Sequence, residues 1–143
     1  MLSHNRTYTP DAEAKIEATA IKGDINPFAK KIFRVPYTED NTLWEPYYDT
    51  DNGHCVRINK VHRFSKVIFE DNQNNPDLQV LFELFIHQIA VSEVESLKHL
   101  RTTFSKIDVR DLQKILAEYR RITSEYIANM CRKLEDKLPP LNS

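Results

Sequence analysis

From Asp77 to Leu138 apolar residues recur at the spacing of an α-helix, in two runs that meet at one corner, and a chain built around such a segment has few ways to fold. In the first run Leu78, Leu81, Phe82, Phe85, Ile86, Ile89, Leu97, Leu100, Phe104 and Ile107 fall on one stripe, interrupted only by Glu93. Val80, Leu84 and Val91 form a second patch on the other side. A helix that is apolar nearly all round needs neighbours on several sides, so the first half of this run should be the central, most buried element. Asn75, Pro76 and Asp77 supply its start, while the capping-box spacing of Ser92 and Glu95 marks an alternative break. Asp108 can cap the second run, whose stripe is Leu112, Ile115, Leu116, Tyr119, Ile122, Tyr126, Ile127, Met130 and Leu134. Opposite it, Asp111, Lys114, Glu118, Arg121, Glu125, Arg132 and Glu135 alternate in sign, a solvated face steadied by charge pairs worth about 0.3 kcal/mol each. Pro139 and Pro140 end the run. The pattern predicts helices over 77–107 and 109–138, each about 45 Å long, folded into an antiparallel hairpin.

The part before the hairpin is less regular. Thr9 as cap, Pro10 at the first helical position, acidic Asp11 and Glu13, and Gly23 as a left-handed terminator predict a short helix over 10–22. Its few apolar residues, Ile16, Ala20 and Ile21, need a larger element to lie against. Between 24 and 52 periodicity disappears: Pro27, Pro36 and Pro46 interrupt a stretch too rich in aromatic and aliphatic residues for a disordered linker. It is read as an irregular, partly extended arm. The stretch HCVRINKVHRFSKVIF, residues 54–69, is basic and apolar at once. As a strand neither of its faces is clean; as a helix Val61, Phe64, Val67 and Ile68 gather on one side and His62, Arg63 and Lys66 on the other, which favours an amphipathic basic helix over 56–71. The alternative is that Asn52 and Gly53 turn a hairpin pairing Leu43–Tyr48 with Cys55–Ile58. The fold expected is mainly all-α, one domain over 1–143, with an α+β arrangement carrying a small N-terminal hairpin or sheet as the alternative.

Composition bears on chemistry mainly by exclusion. Gly23 and Gly53 are the only glycines, so no phosphate loop, dinucleotide fingerprint or nucleophile elbow can be written. Cys55 and Cys131 stand far apart with no metal-ligand spacing and read as free thiols of a reducing compartment, which together with the lack of a leader or a membrane-spanning run leads to a cytoplasmic, non-membrane expectation. Glu83 with His87 and Glu95 with His99 each lie one helical turn apart, but point in different directions; His87 is read as a satisfied core histidine. His54, Cys55 and His62 lack a fourth zinc ligand at a standard spacing. No metal, cofactor or catalytic set is expected, and the chain is read as a non-enzyme.

Interaction is what remains. The two long helices carry more apolar surface than a chain of 143 residues easily covers, and pairing two hairpins is the common remedy. The expectation is a helical assembly or adaptor subunit, a homodimer or the partner of another protein, with its seam at Leu112, Tyr119, Ile122, Tyr126 and Met130, because aromatic and Met side chains concentrate in interface cores. A nucleic-acid-binding subunit is the first alternative: Arg57, Lys60, Arg63 and Lys66 could hold phosphates and Trp44, Tyr47 and Tyr48 stack on bases. It is not favoured, since Asp49, Asp51, Glu70 and Asp71 flank the basic segment and the net charge is −1. The second alternative is a small protein that binds or sequesters an anionic ligand beneath the aromatic arm, with Arg57 or Arg63 reading it.

Overall fold

The computed structural model describes residues 30–137. Its elements run β1 (Ile32–Val35), a 3-10 turn (Glu39–Asn41), β2 (Trp44–Asp49), β3 (Gly53–Asn59), α1 (Arg63–Lys66) continuing into a π-helical turn (Val67–Asp71), α2 (Pro76–Thr103) and α3 (Val109–Lys137). Helix dominates, with one small sheet of order β1-β3-β2. β3 lies in the middle, parallel to β1 and antiparallel to β2.

The tight connection between β2 and β3 follows from its residues. Gly53 takes φ 80, a left-handed value natural to glycine, and Asp49 accepts hydrogen bonds from the Asp51 amide at 3.0 Å and the Asn52 side chain at 2.7 Å. Pairing Trp44 with Ile58 and Tyr47 with Cys55 leaves Pro46 opposite Val56. The core forms where the sheet meets the first half of α2: Ile32, Val56 and Ile58 pack with Phe82, Ile86 and Ala90. Phe64 of α1 and Phe69 within the π-helical turn meet the Phe82 ring edge-on at 5.3 and 5.6 Å. Asn75 caps α2 by accepting the Leu78 amide at 3.1 Å, and Asp108 accepts the Arg110 amide at the start of α3 at 2.8 Å.

Several sequence expectations change. The predicted helix over 10–22 lies outside the described residues. The described part of the arm over 24–52 is extended where it supplies β1 and β2 and irregular only between them. The basic helix over 56–71 is corrected most: residues up to Asn59 are strand, and only Arg63–Lys66 and the π-helical turn are helical. The hairpin alternative through Asn52 and Gly53 is the arrangement present, extended by β1. β3 reads badly as a strand because both its faces are covered, leaving Cys55 through Asn59 all buried with no polar–apolar alternation.

Helix α2 runs unbroken through Ser92 and ends earlier than expected, at Thr103. Its buried side is also rotated from the predicted stripe. Gln79, Val80, Glu83, Ile86, His87 and Ala90 face inward, while Leu81 and Phe85 are exposed. The rotation follows from polar partners on the sheet. Arg34 of β1 donates to Glu83 at 2.8 Å and to Gln79 at 3.3 Å and stacks over Phe69 at 3.8 Å, and His87 Nε2 lies 2.9 Å from the His54 carbonyl of β3.

Candidate interaction surface

Helix α3 is amphipathic in the inverted sense. An amphipathic helix normally turns its apolar stripe to the core; here the side that touches the rest of the molecule carries Arg120, Ser124, Ala128 and Cys131, and six residues of the stripe, Ile115, Tyr119, Ile122, Tyr126, Met130 and Leu134, face water. Tyr126 is 72% exposed, Tyr119 66% and Ile115 62%, with Ile122, Met130 and Leu134 at two fifths or more.

The inward side is held by satisfied polar contacts. Ser124 Oγ accepts the Leu43 amide at 2.8 Å and donates to the Arg120 carbonyl at 2.8 Å. His62 Nδ1 accepts the Phe64 amide at 3.1 Å, so the ring's proton sits on Nε2, which donates to the Ser124 carbonyl at 2.9 Å. Arg120 grips Glu93 of α2 with Nε at 3.2 Å and Nη2 at 2.8 Å from Oε2, and the Trp44 indole donates to Glu93 Oε1 at 3.1 Å. Farther along, Arg63 Nη1 donates to Glu135 at 2.9 Å. Leu112 and Cys131 are buried and Ile127 packs at the edge of the core. Docked in this way, α3 leaves its outer apolar residues without a partner among the described residues.

Fully exposed side chains of this size offer about 150–250 Å² each, so the six residues from Ile115 to Leu134 present on the order of 600 Å². That is at the upper end of the apolar patches found on monomers, and patches of this extent mark contact sites. On one flank Arg121 clips Glu118 and Glu125 within the helix, with Nε 2.9 Å from Glu118 Oε1. In solvent such pairs add little net stability. Of the predicted seam, Tyr119, Ile122, Tyr126 and Met130 lie together on this face; Leu112 does not, being turned into the protomer.

The predicted basic and aromatic site is dispersed. Trp44 is buried with its indole N–H committed to Glu93. Arg57 is buried, donates to Glu45 at 3.2 Å and lies 4.2 Å over the Tyr47 ring. Burial raises the Tyr47 hydroxyl far above its ordinary pKa. Tyr48 is exposed and meets the His54 ring edge-on, Arg63 is tied to Glu135, and Lys60 and Lys66 are exposed. Arg63 and Lys66 border one cleft, and Tyr47 and Arg57 another.

Among the described residues no group of His, Cys, Asp and Glu is arranged to hold a metal. Cys55 and Cys131 are free and buried, and burial pushes the Cys55 thiol up to about 11. A cleft of about 640 Å³ lies between α1, Asp40 and Asn41, and α3, lined by charges of both signs. No described helix is long and apolar enough to cross a membrane. Compared with family models, curated proteins and solved structures, the chain matches nothing.

Neither Arg120 nor Ser124 stood out in the sequence, because their partners are distant along the chain. Glu93 was the visible signal, the one charge inside an otherwise apolar stripe.

The histidines give a pH prediction. Burial is the main cause that lowers the pKa of both His62 and His87 from 6.5, opposed by their bonds to the Ser124 and His54 carbonyls. Below that value the unfolded chain binds more protons than the native one. The stability contributed by the neutral rings is therefore complete above about pH 6.5 and is lost as pH falls toward the lowered native values. The melting temperature is expected to drop from pH ~7.5 to ~5.5, and His62→Gln to flatten that drop, as followed by circular dichroism.

Proposed function

We propose that this chain is a non-enzymatic assembly subunit that acts by protein–protein contact, pairing with a second copy of itself through the outer face of α3. The observation that carries this is the inversion of α3: polar side chains hold it to its own protomer while Ile115, Tyr119, Ile122, Tyr126 and Met130 remain in solvent. Joined by the short turn after Thr103, α2 and α3 act as a helical hairpin whose outer strip is the docking surface. A standard interface takes roughly 800 Å² from each partner, which the stripe and its charged borders can supply. The two free cysteines fit a reducing compartment, so the cytoplasm is the inferred site of action.

Light scattering on the full chain at micromolar concentration tests this. The expected mass is twice 16.8 kDa. Tyr119→Glu with Tyr126→Glu should reduce it to one chain with the helical spectrum unchanged, because neither side chain supports the protomer. A wild-type species of 16.8 kDa overturns the proposal. The buried indole of Trp44 and the Arg57–Glu45 pair weigh against nucleic-acid binding.

A further inference from the structure

Taking the self-association above as given, we infer that the two copies of α3 lie antiparallel, related by a two-fold axis that passes between them at the level of Arg120 and Arg121. The exposed stripe follows the alternating four- and three-residue spacing of a coiled-coil seam at Ile115, Tyr119, Ile122 and Tyr126. Continued in both directions, the same line passes Leu112, which is turned into the protomer, to reach Asp108 at one end, and passes Asn129 to reach Lys133 at the other. Asp108 and Lys133 stand about 38 Å apart along the helix, outside the oily part.

An antiparallel pair in this register sets each tyrosine against an isoleucine of the other copy, Tyr119 on Ile122 and Tyr126 on Ile115. In the four layers these residues form, a large side chain then meets a medium one, which packs the middle of the seam. At both ends opposite charges meet: Lys133 faces Asp108 of the second copy, and beside them Arg132 faces Asp111. All four side chains are exposed in the protomer. Asp108 does cap its own helix and contacts Arg110 at 3.3 Å, but that pair is open to solvent and leaves the carboxylate accessible. The contact is isologous, so each ion pair occurs twice, and a closed dimer results, not a filament.

The antiparallel register also sets Glu118 beside Glu125 of the second copy, each already paired with Arg121 of its own chain; along the seam and at its ends the parallel arrangement is worse. It stacks tyrosine on tyrosine and isoleucine on isoleucine, and brings Lys133 onto Lys133 and Asp108 onto Asp108, like charges that cost free energy at a contact. It also aligns the two helix dipoles head to head.

Cysteine cross-linking of the full chain under mild oxidation reads the orientation. Asp108→Cys combined with Lys133→Cys in one chain is expected to give a disulfide-linked dimer, while each single variant and the wild-type chain, whose own cysteines are buried, stay unlinked. Arg132→Cys with Asp111→Cys repeats the test with the α3 cap intact. If instead the single variants link to themselves and the doubles give no cross-pair, the helices run parallel and this inference fails while the assembly proposal stands. A chain that light scattering finds monomeric defeats both. Reversing Arg132 and Lys133 to Glu should weaken the dimer tenfold or more, with binding restored when Asp108 and Asp111 are also changed to Lys.

Discussion

Replacing Glu93 by Ala should cost about 3 kcal/mol of stability and lower the melting temperature by on the order of 10 °C. Glu93 and Arg120 are each 13% exposed, so the charge left behind on Arg120 would have little water to turn to. The change also strips the Trp44 indole of its acceptor. Three elements are loosened by one substitution, since Trp44 belongs to β2, Glu93 to α2 and Arg120 to α3. Glu93→Gln keeps an oxygen for Trp44 and should lose only about half as much. Urea unfolding measures both. Because Trp44 is the only tryptophan, its emission offers a second readout: a red shift in Glu93→Ala and a smaller one in Glu93→Gln. Equal, near-zero losses for both variants would mean the cluster contributes nothing.

Arg34→Ala is the second large expectation, at about 3–5 kcal/mol. Arg34 fastens the edge strand β1 to α2 through Glu83, which is wholly buried, and covers Phe69 with its guanidinium plane. Losing it withdraws a cation from a carboxylate out of reach of solvent. Arg34→Lys should recover less than half, because an ammonium cannot stack on the ring and reach both Glu83 and Gln79 at once. Thermal melts of the three chains side by side check the order.

How much of this was legible in the sequence depended on how far away each residue's partner lies. The starts of α2 and α3 were readable because their signals are local: Asn75 and Asp108 bond amides within three residues of themselves. The turn at Asn52 and Gly53 was readable for the same reason. Strand β3 was misjudged because Arg57 is buried by Glu45 and Tyr47 of the neighbouring strand, and no periodicity within β3 can announce that. The buried side of α2 was misjudged in part likewise: Glu83 looks like a surface residue until Arg34 is brought to it, whereas His87, expected in the core, is buried there against the His54 carbonyl. For the candidate surface, the apolar spacing of α3 identified the stripe but not which way it faces. That was decided by Ser124, Arg120 and His62, whose bonds join parts of the chain that are remote in sequence.

Pro46 has a consequence for how copies of this protein avoid meeting in the wrong way. It sits in an outermost strand, opposite Val56, and the Val56 amide points away from it toward Lys31 at 2.8 Å. In an antiparallel ladder the backbone groups at such a position point outward on both strands, so the missing N–H of Pro46 falls on a rim of the sheet that no other described strand pairs. A visiting strand would find a gap midway along the row of donors, and on the far rim β1 provides only four residues. Runaway stacking of sheets is thereby discouraged at either border.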